Sequence, residues 1–229
     1  MKRHLLSILI VLLLSSIVQA ASDVNDRVVR SAVVLRELAG IPERGIPSDL
    51  LNKSVCVAVI PSVKKAAFVF GGNYGKGLMA CRVDGGNGPW SAPSMIMIGG
   101  GSFGLQIGGS STDLVLLIMN LKGLESLLDS KFTLGGDASV AAGPVGRTTA
   151  AQTDALMRAK ILAYSRSRGI FGGISLKGDV LRPDHDANQI LYGKPLTPRA
   201  ILLERLPDVP KDAQIFIDEL MRLSPPKAP

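Results

Sequence analysis

The chain has 229 residues and a formal net charge of +7, long enough for one domain with a real hydrophobic core. Aromatic residues make up 4% of it and the basic residues form no dense block, which argues against nucleic-acid binding by base stacking. Its two cysteines and two histidines offer no zinc-ligand spacing, so no metal or other cofactor is expected.

In chain order, Lys2 and Arg3 precede an apolar run from Leu5 to Leu14, broken by Ser7, and small residues close the segment at Ala20. The pattern predicts a secretory signal peptide over residues 1–20, since the run is short for a membrane span of about 20 residues. Its removal takes Lys2 and Arg3 with it and leaves a mildly positive chain, suited to an anionic surface. Ser22 to Ala39 reads as a helix, with Val24, Val28, Ala32, Leu35 and Ala39 on one face. Ser22 or Asp23 caps it and Gly40 ends it. After the linker "IPERGIPSD", Ser48-Asp49 opens a short helical turn.

From Ser54 the runs "SVCVAVIP", "AAFVFGG", "GLMACRV", "SMIMIGG", "FGLQIGG" and "TDLVLLIMN" alternate with turn clusters, among them "PSVKK" and "GGNYGKG". Such spacing predicts antiparallel strands with tight connections; the long helical crossovers of a parallel sheet are missing. Asn120 caps a helix carrying Leu121, Leu124, Leu127 and Leu128, and "KFTLGGDASVAAGPVGR" reads as extended. Two more strands flank Gly169, and helices follow at Asp184–Leu191, from Thr197-Pro198, and at Asp212–Leu223. The expected fold is α+β: a glycine-rich antiparallel β core, as a sheet or partial barrel, with helices at the N- and C-terminal ends. One domain covers residues 22–223, and residues 224–229 form a flexible tail. An oxidising compartment permits a Cys56–Cys81 bridge, while two buried thiols fit the same sequence.

Gly100-Gly101-Ser102-Phe103-Gly104 matches G-x-S-x-G, the pattern that lifts a nucleophilic serine on a strand–turn–helix elbow. A strand precedes Ser102, but a β-like run follows it and no HGGG-type segment lies upstream, so a serine hydrolase is the disfavoured alternative. Ser62-Val63-Lys64-Lys65 matches S-x-x-K without the S-D-N and K-T-G elements of penicillin-recognising enzymes. The glycine clusters lack the Lys-Ser or Lys-Thr of a phosphate loop. No enzymatic activity is expected.

"GGNYGKG", "WSAPSMIMIGGGSFGLQIGGSSTDLVLLIMN" and "AYSRSRGIFGGISLKGDVLRPD", the last followed by Asn188 and Tyr192-Gly193, resemble the SYLF domain from about Val33 to Leu206. The resemblance implies a binding domain. Eukaryotic members bind phosphoinositides and other anionic lipids, and some fungal members bind actin filaments. With the signal peptide, it implies an exported bacterial member, periplasmic, envelope-associated or secreted, that binds anionic phospholipid at an envelope membrane. A structural or protein-interaction module of the envelope, with other envelope proteins as partners, is the second reading. Some eukaryotic members use a basic amphipathic helix for lipid contact. The similar helix here carries Arg27 and Arg30 on its polar side, mixed with Asp23, Asp26 and Glu37. Lys64 and Lys65, at an expected hairpin tip, are the second lipid-binding pair.

Overall fold

The computed structural model describes residues 2–39, 45–68, 70–103, 108–120, 124, 128, 132–137, 139–144, 159–167, 170–172, 176, 178–204 and 206–226. Helix α1 (Lys2–Ala39) is followed by α2 (Ser48–Lys53) and the long strands β1 (Cys56–Phe68), β2 (Phe70–Cys81), β3 (Ser94–Phe103) and β4 (Gly108–Ile118). Short strands β5 (Phe132–Thr133), β6 (Val140–Ala142), β7 (Ile161–Ser167), β8 (Ile170–Gly172) and β9 (Val180–Pro183) come next. The chain then forms α3 (His185–Tyr192), α4 (Pro198–Leu202) and α5 (Gln214–Leu223). Among the described residues the strands make one nine-stranded sheet in the order β5-β9-β3-β2-β1-β4-β7-β6, with β8 on β7. Every pairing is antiparallel except β6 with β7. This is the α+β architecture expected from the sequence, with the sheet curled as a half-barrel.

Alternation along the strands explains why both sheet faces are buried. In β1, Val57 and Val59 face one core with Leu78 and Ala80 of β2, Val115 and Leu117 of β4, Leu35 and Leu38 of α1, and Phe216 and Leu220 of α5. Cys56, Ala58 and Ile60 face a second core with Met79, Ile96, Leu116, Phe132, Leu181 and Ile201. Cys56 and Cys81 stand directly opposite each other across β1 and β2 and are joined as a disulfide, which decides between the two alternatives open in the sequence.

The expected turn "PSVKK" is a strand segment. Pro61-Ser62 forms a bulge inside β1, seen as register shifts between Val59 and Lys64 against β2 and between Ile60 and Val63 against β4. Ser62 takes a left-handed φ of 51°, and its N–H donates to Asp113 Oδ1 at 2.9 Å. Gly77 of β2 lies against the same bulge, where a β-carbon would sit 2.0 Å from the Val59 carbonyl oxygen and 2.7 Å from Ile60 Cα. The bulge reverses parity: Val63 joins the core face of Ile60, and Lys64 turns to the α1 side. Lys64 and Lys65 therefore lie in mid-strand, opposite Tyr74 and Asn73 of β2, and not at a hairpin tip.

Two other expectations are corrected. Helix α1 runs without a break through Ala20 and starts at Lys2, not Ser22. A Leu-rich run behind two basic residues is a leader pattern and also a strong helix former, and the pattern alone does not separate the two. Ser224, first residue of the expected loose tail, is buried and held by Arg82 and Trp90. Ser102 sits within β3 opposite Gly71, and the next described element is the strand β4, so the elbow of a serine hydrolase is not formed. Of the expected helix after Asn120, Leu121 and Leu127 lie outside the described residues; Leu124 and Leu128 donate backbone bonds to residues four positions earlier.

Asp179 precedes β9 and packs onto the glycines of β3: a β-carbon at Gly100 would lie 2.0 Å from Asp179 Oδ1. Burial holds its carboxyl above the ordinary carboxylate range, against the Asn73 hydrogen bond and the Lys65 charge that pull it down. A raised folded-state value means that the ionised form costs stability above that value, and the cost vanishes as pH falls towards the unfolded value. Asp179→Asn keeps the oxygen that accepts from Asn73. It is expected to melt higher than the parent at pH 7, with the gap closing as pH falls towards 3.8; thermal scans across that range check this.

Candidate functional site

A cleft of about 270 Å³ opens between α1 and the hairpin of β1 and β2. Its α1 wall exists because the helix buries Val24, Val28, Ala32 and Leu35 on the sheet, which turns Asp23, Asp26, Arg27 and Arg30 towards the hairpin. The other wall is Pro61, Ser62 and Lys64 of β1 with Tyr74, Gly75 and Lys76 of β2. Tyr74 and Lys76 are two apart on the strand and share its α1-facing side with Leu78 and Ala80. Lys64 joins them because of the bulge.

The cations in this cleft are held differently. Arg27 is 8% exposed and donates to Asp184 Oδ2 at 2.8 Å. Asp184 also accepts from Ala187 N as the N-cap of α3, and lies 3.9 Å from Lys76 Nζ. Arg27 is thus a buried anchor between α1 and α3 and offers little free charge to a surface. Arg30 pairs with Asp26 one turn earlier at 2.7 Å with both side chains open to solvent, a contact worth little. Lys64 is exposed, and Tyr74 is 49% exposed at the rim.

A second network fixes the bulge. Arg166 of β7 donates to Asp113 Oδ2 through Nη2 at 2.6 Å and through Nε at 3.2 Å, and also to Glu37 of α1. Burial opposes the Arg166 charge, but the hydrogen bonds to Asp113 and Glu37 outweigh it and raise its pKa. Asp113 therefore links the cation on β7 to the strained Ser62 backbone that lines the cleft.

Of the residues picked from sequence, Arg27, Arg30 and Lys64 come together in this cleft. Lys65 faces the opposite side of the sheet, where its charge acts on Asp179. Sequence reasoning missed Tyr74, Lys76, Asp113 and Asp184. The first two stand in "GGNYGKG", read as a turn; their i, i+2 spacing was the available strand signal. Among the described residues no group of three or more His, Cys, Asp or Glu side chains could hold a metal ion.

The model of the Ysc84 family, described as Las17-binding protein actin regulator, matches residues 99–223. The chain belongs to this family. The Ysc84 relatives include the SH3 domain-containing protein PJ696.02 of Schizosaccharomyces pombe, 38% identical over 77% of this chain and 41% of the relative. LAS seventeen-binding protein 3 of Saccharomyces cerevisiae is 36% identical over 75% of this chain and 37% of its own length. The human SH3 domain-containing YSC84-like protein 1 is 32% identical over 84% and 56% respectively. The chain spans about two fifths to under three fifths of these relatives. The family description names Las17 binding and actin regulation.

Yeast and mammalian relatives correct the expectation of an exported bacterial member, and with it the secreted, periplasmic or envelope location. The expected function at an envelope membrane falls for the same reason. The SYLF-type resemblance itself stands, because it rests on the motifs of the sheet and not on the N-terminal run.

Proposed function

We propose that this domain binds anionic phospholipid through the cleft between α1 and the β1–β2 hairpin, and brings actin-regulatory proteins to that membrane surface. The observation that carries the reading is convergence: Arg27 and Arg30 of α1, Lys64 of β1 and Lys76 of β2 line one cleft. The family description, an actin regulator that binds Las17, supports the second half.

Arg30, Lys64 and Lys76 are the cations open to a surface. At ~1 kcal/mol each near anionic lipid they contribute about 3 kcal/mol, less than the ~4 kcal/mol of a millimolar site. Stable attachment needs apolar area as well. Tyr74 at the rim supplies some, and Val29 and Val33 on the outer side of α1 are 40% and 41% exposed.

Vesicle co-sedimentation of the full chain tests this. Binding to anionic vesicles is expected to fade as salt rises. Arg30→Glu combined with Lys64→Glu is expected to weaken it by about tenfold or more, with an unchanged melting temperature. Undiminished binding by the folded double variant would move lipid contact away from the cleft.

A further inference from the structure

The cleft's ionised groups are unequally committed. Arg27 and Lys76 both face Asp184, and Arg30 is paired with Asp26. Among the described residues two lining groups have no ion-pair partner: Asp23 on the α1 wall and Lys64 on the β1 wall, both exposed. The charge without an ion-pair partner is therefore dipolar, one carboxylate on the α1 wall and one ammonium on the β1 wall of a cleft of about 270 Å³. That volume is just under the ~300 Å³ at which small-ligand pockets begin.

A simple anion uses only half of this arrangement. Its phosphate gains Lys64 but meets Asp23, whose charge opposes it. A ligand carrying a phosphodiester and, a few bonds away, a primary ammonium satisfies both walls. The phosphate accepts from Lys64, and the ammonium donates to Asp23 in a charge-assisted hydrogen bond. A quaternary ammonium has no N–H to donate, so a choline headgroup gains the attraction without the bond. We infer that the cleft selects an aminoalkyl phosphodiester, the headgroup chemistry of an aminophospholipid, with Asp23 as the specificity-determining residue. This rests on the reading of the cleft as a phospholipid headgroup site.

The full chain is mixed with phosphatidylcholine vesicles containing equal fractions of either phosphatidylserine or phosphatidylglycerol, lipids of the same net charge. The expected preference for phosphatidylserine is about threefold to fivefold, the size of one partly exposed ion pair. Asp23→Asn is expected to abolish that preference while leaving phosphatidylglycerol binding equal or stronger, since a negative charge has been removed. Soluble glycerophosphoserine is expected to compete, and glycerophosphoglycerol to compete less, if the headgroup itself is seated. Equal binding of the two lipids by the parent, or Asp23→Asn strengthening both alike, overturns the inference and leaves the lipid reading standing. A preference that neither soluble headgroup competes away belongs to the bilayer and also overturns it. Binding to neither vesicle sinks both.

Discussion

Asp184→Ala is expected to destabilise the fold by about 4 kcal/mol, the cost of leaving a buried charge without its partner. Asp184 is 4% exposed and Arg27 8% exposed, so water cannot replace the lost carboxylate around the guanidinium. The same substitution removes the N-cap of α3, worth about 1 kcal/mol. Asp184→Asn keeps an oxygen for Ala187 N and separates the two contributions: it loses the charge and retains the cap. Urea unfolding of the full chain measures both. The pairing of Arg27→Met with Asp184→Asn is expected to recover much of the loss, because no unpaired buried charge remains. A loss within about 0.5 kcal/mol for Asp184→Ala, the range of ordinary surface changes, would show that α1 and α3 are not joined through this pair.

Arg82→Ala is expected to cost about 3 kcal/mol through lost packing and unmet buried acceptors. Arg82 is 1% exposed, lies 4.3 Å over the Trp90 ring, and donates to Ser224 O at 2.8 Å, Ser224 Oγ at 2.6 Å, Pro225 O at 3.0 Å and Gly88 O at 3.2 Å. All these acceptors are neutral, and burial lowers its pKa. Trp90 Nε1 donates to the same Ser224 carbonyl at 2.9 Å, and Ser224 Oγ donates to Asn52 Oδ1 at 2.6 Å. Arg82 thus clasps the end of α5 to the sheet, and Ser224 ties that end to α2. Trp90 is the single tryptophan of the chain, so its fluorescence reports on the clasp. A lower melting midpoint with red-shifted emission is expected; an unchanged spectrum and midpoint would show that the clasp carries no stability.

The sequence exposes local features of this fold and hides distant ones. The apolar alternation of "SVCVAVIP" and "TDLVLLIMN" marks strands buried on both faces, and β1 and β4 confirm it with valines and leucines on one side and Ile60, Leu114 and Leu116 on the other. Asp184 before "HDANQILY" and Thr197-Pro198 announce helix starts, and both side chains cap as that grammar requires. The Pro61-Ser62 bulge has no such signature. Proline beside a polar residue reads as a turn, and simple alternation past it puts Lys64 on the face of Ile60. Only the register against β2 and β4 shows that the parity has reversed. Arg27 and Asp184, 157 residues apart, look like surface charges on their own helices, since nothing local signals their burial against each other. Residues 1–20 show the same limit: a leader and the start of a long helix share one composition, and the helical structure of α1 there fits either.

Backbone hydrogen exchange of the full chain, with and without anionic phospholipid vesicles at low salt, tests the central claim most directly. Slower exchange is expected in residues 23–30 of α1 and in residues 61–64 and 74–76 of the hairpin, lost again when salt releases the protein. Binding to the vesicles with protection confined to other segments, or no binding at all, would contradict the assignment of this cleft as the lipid-facing site.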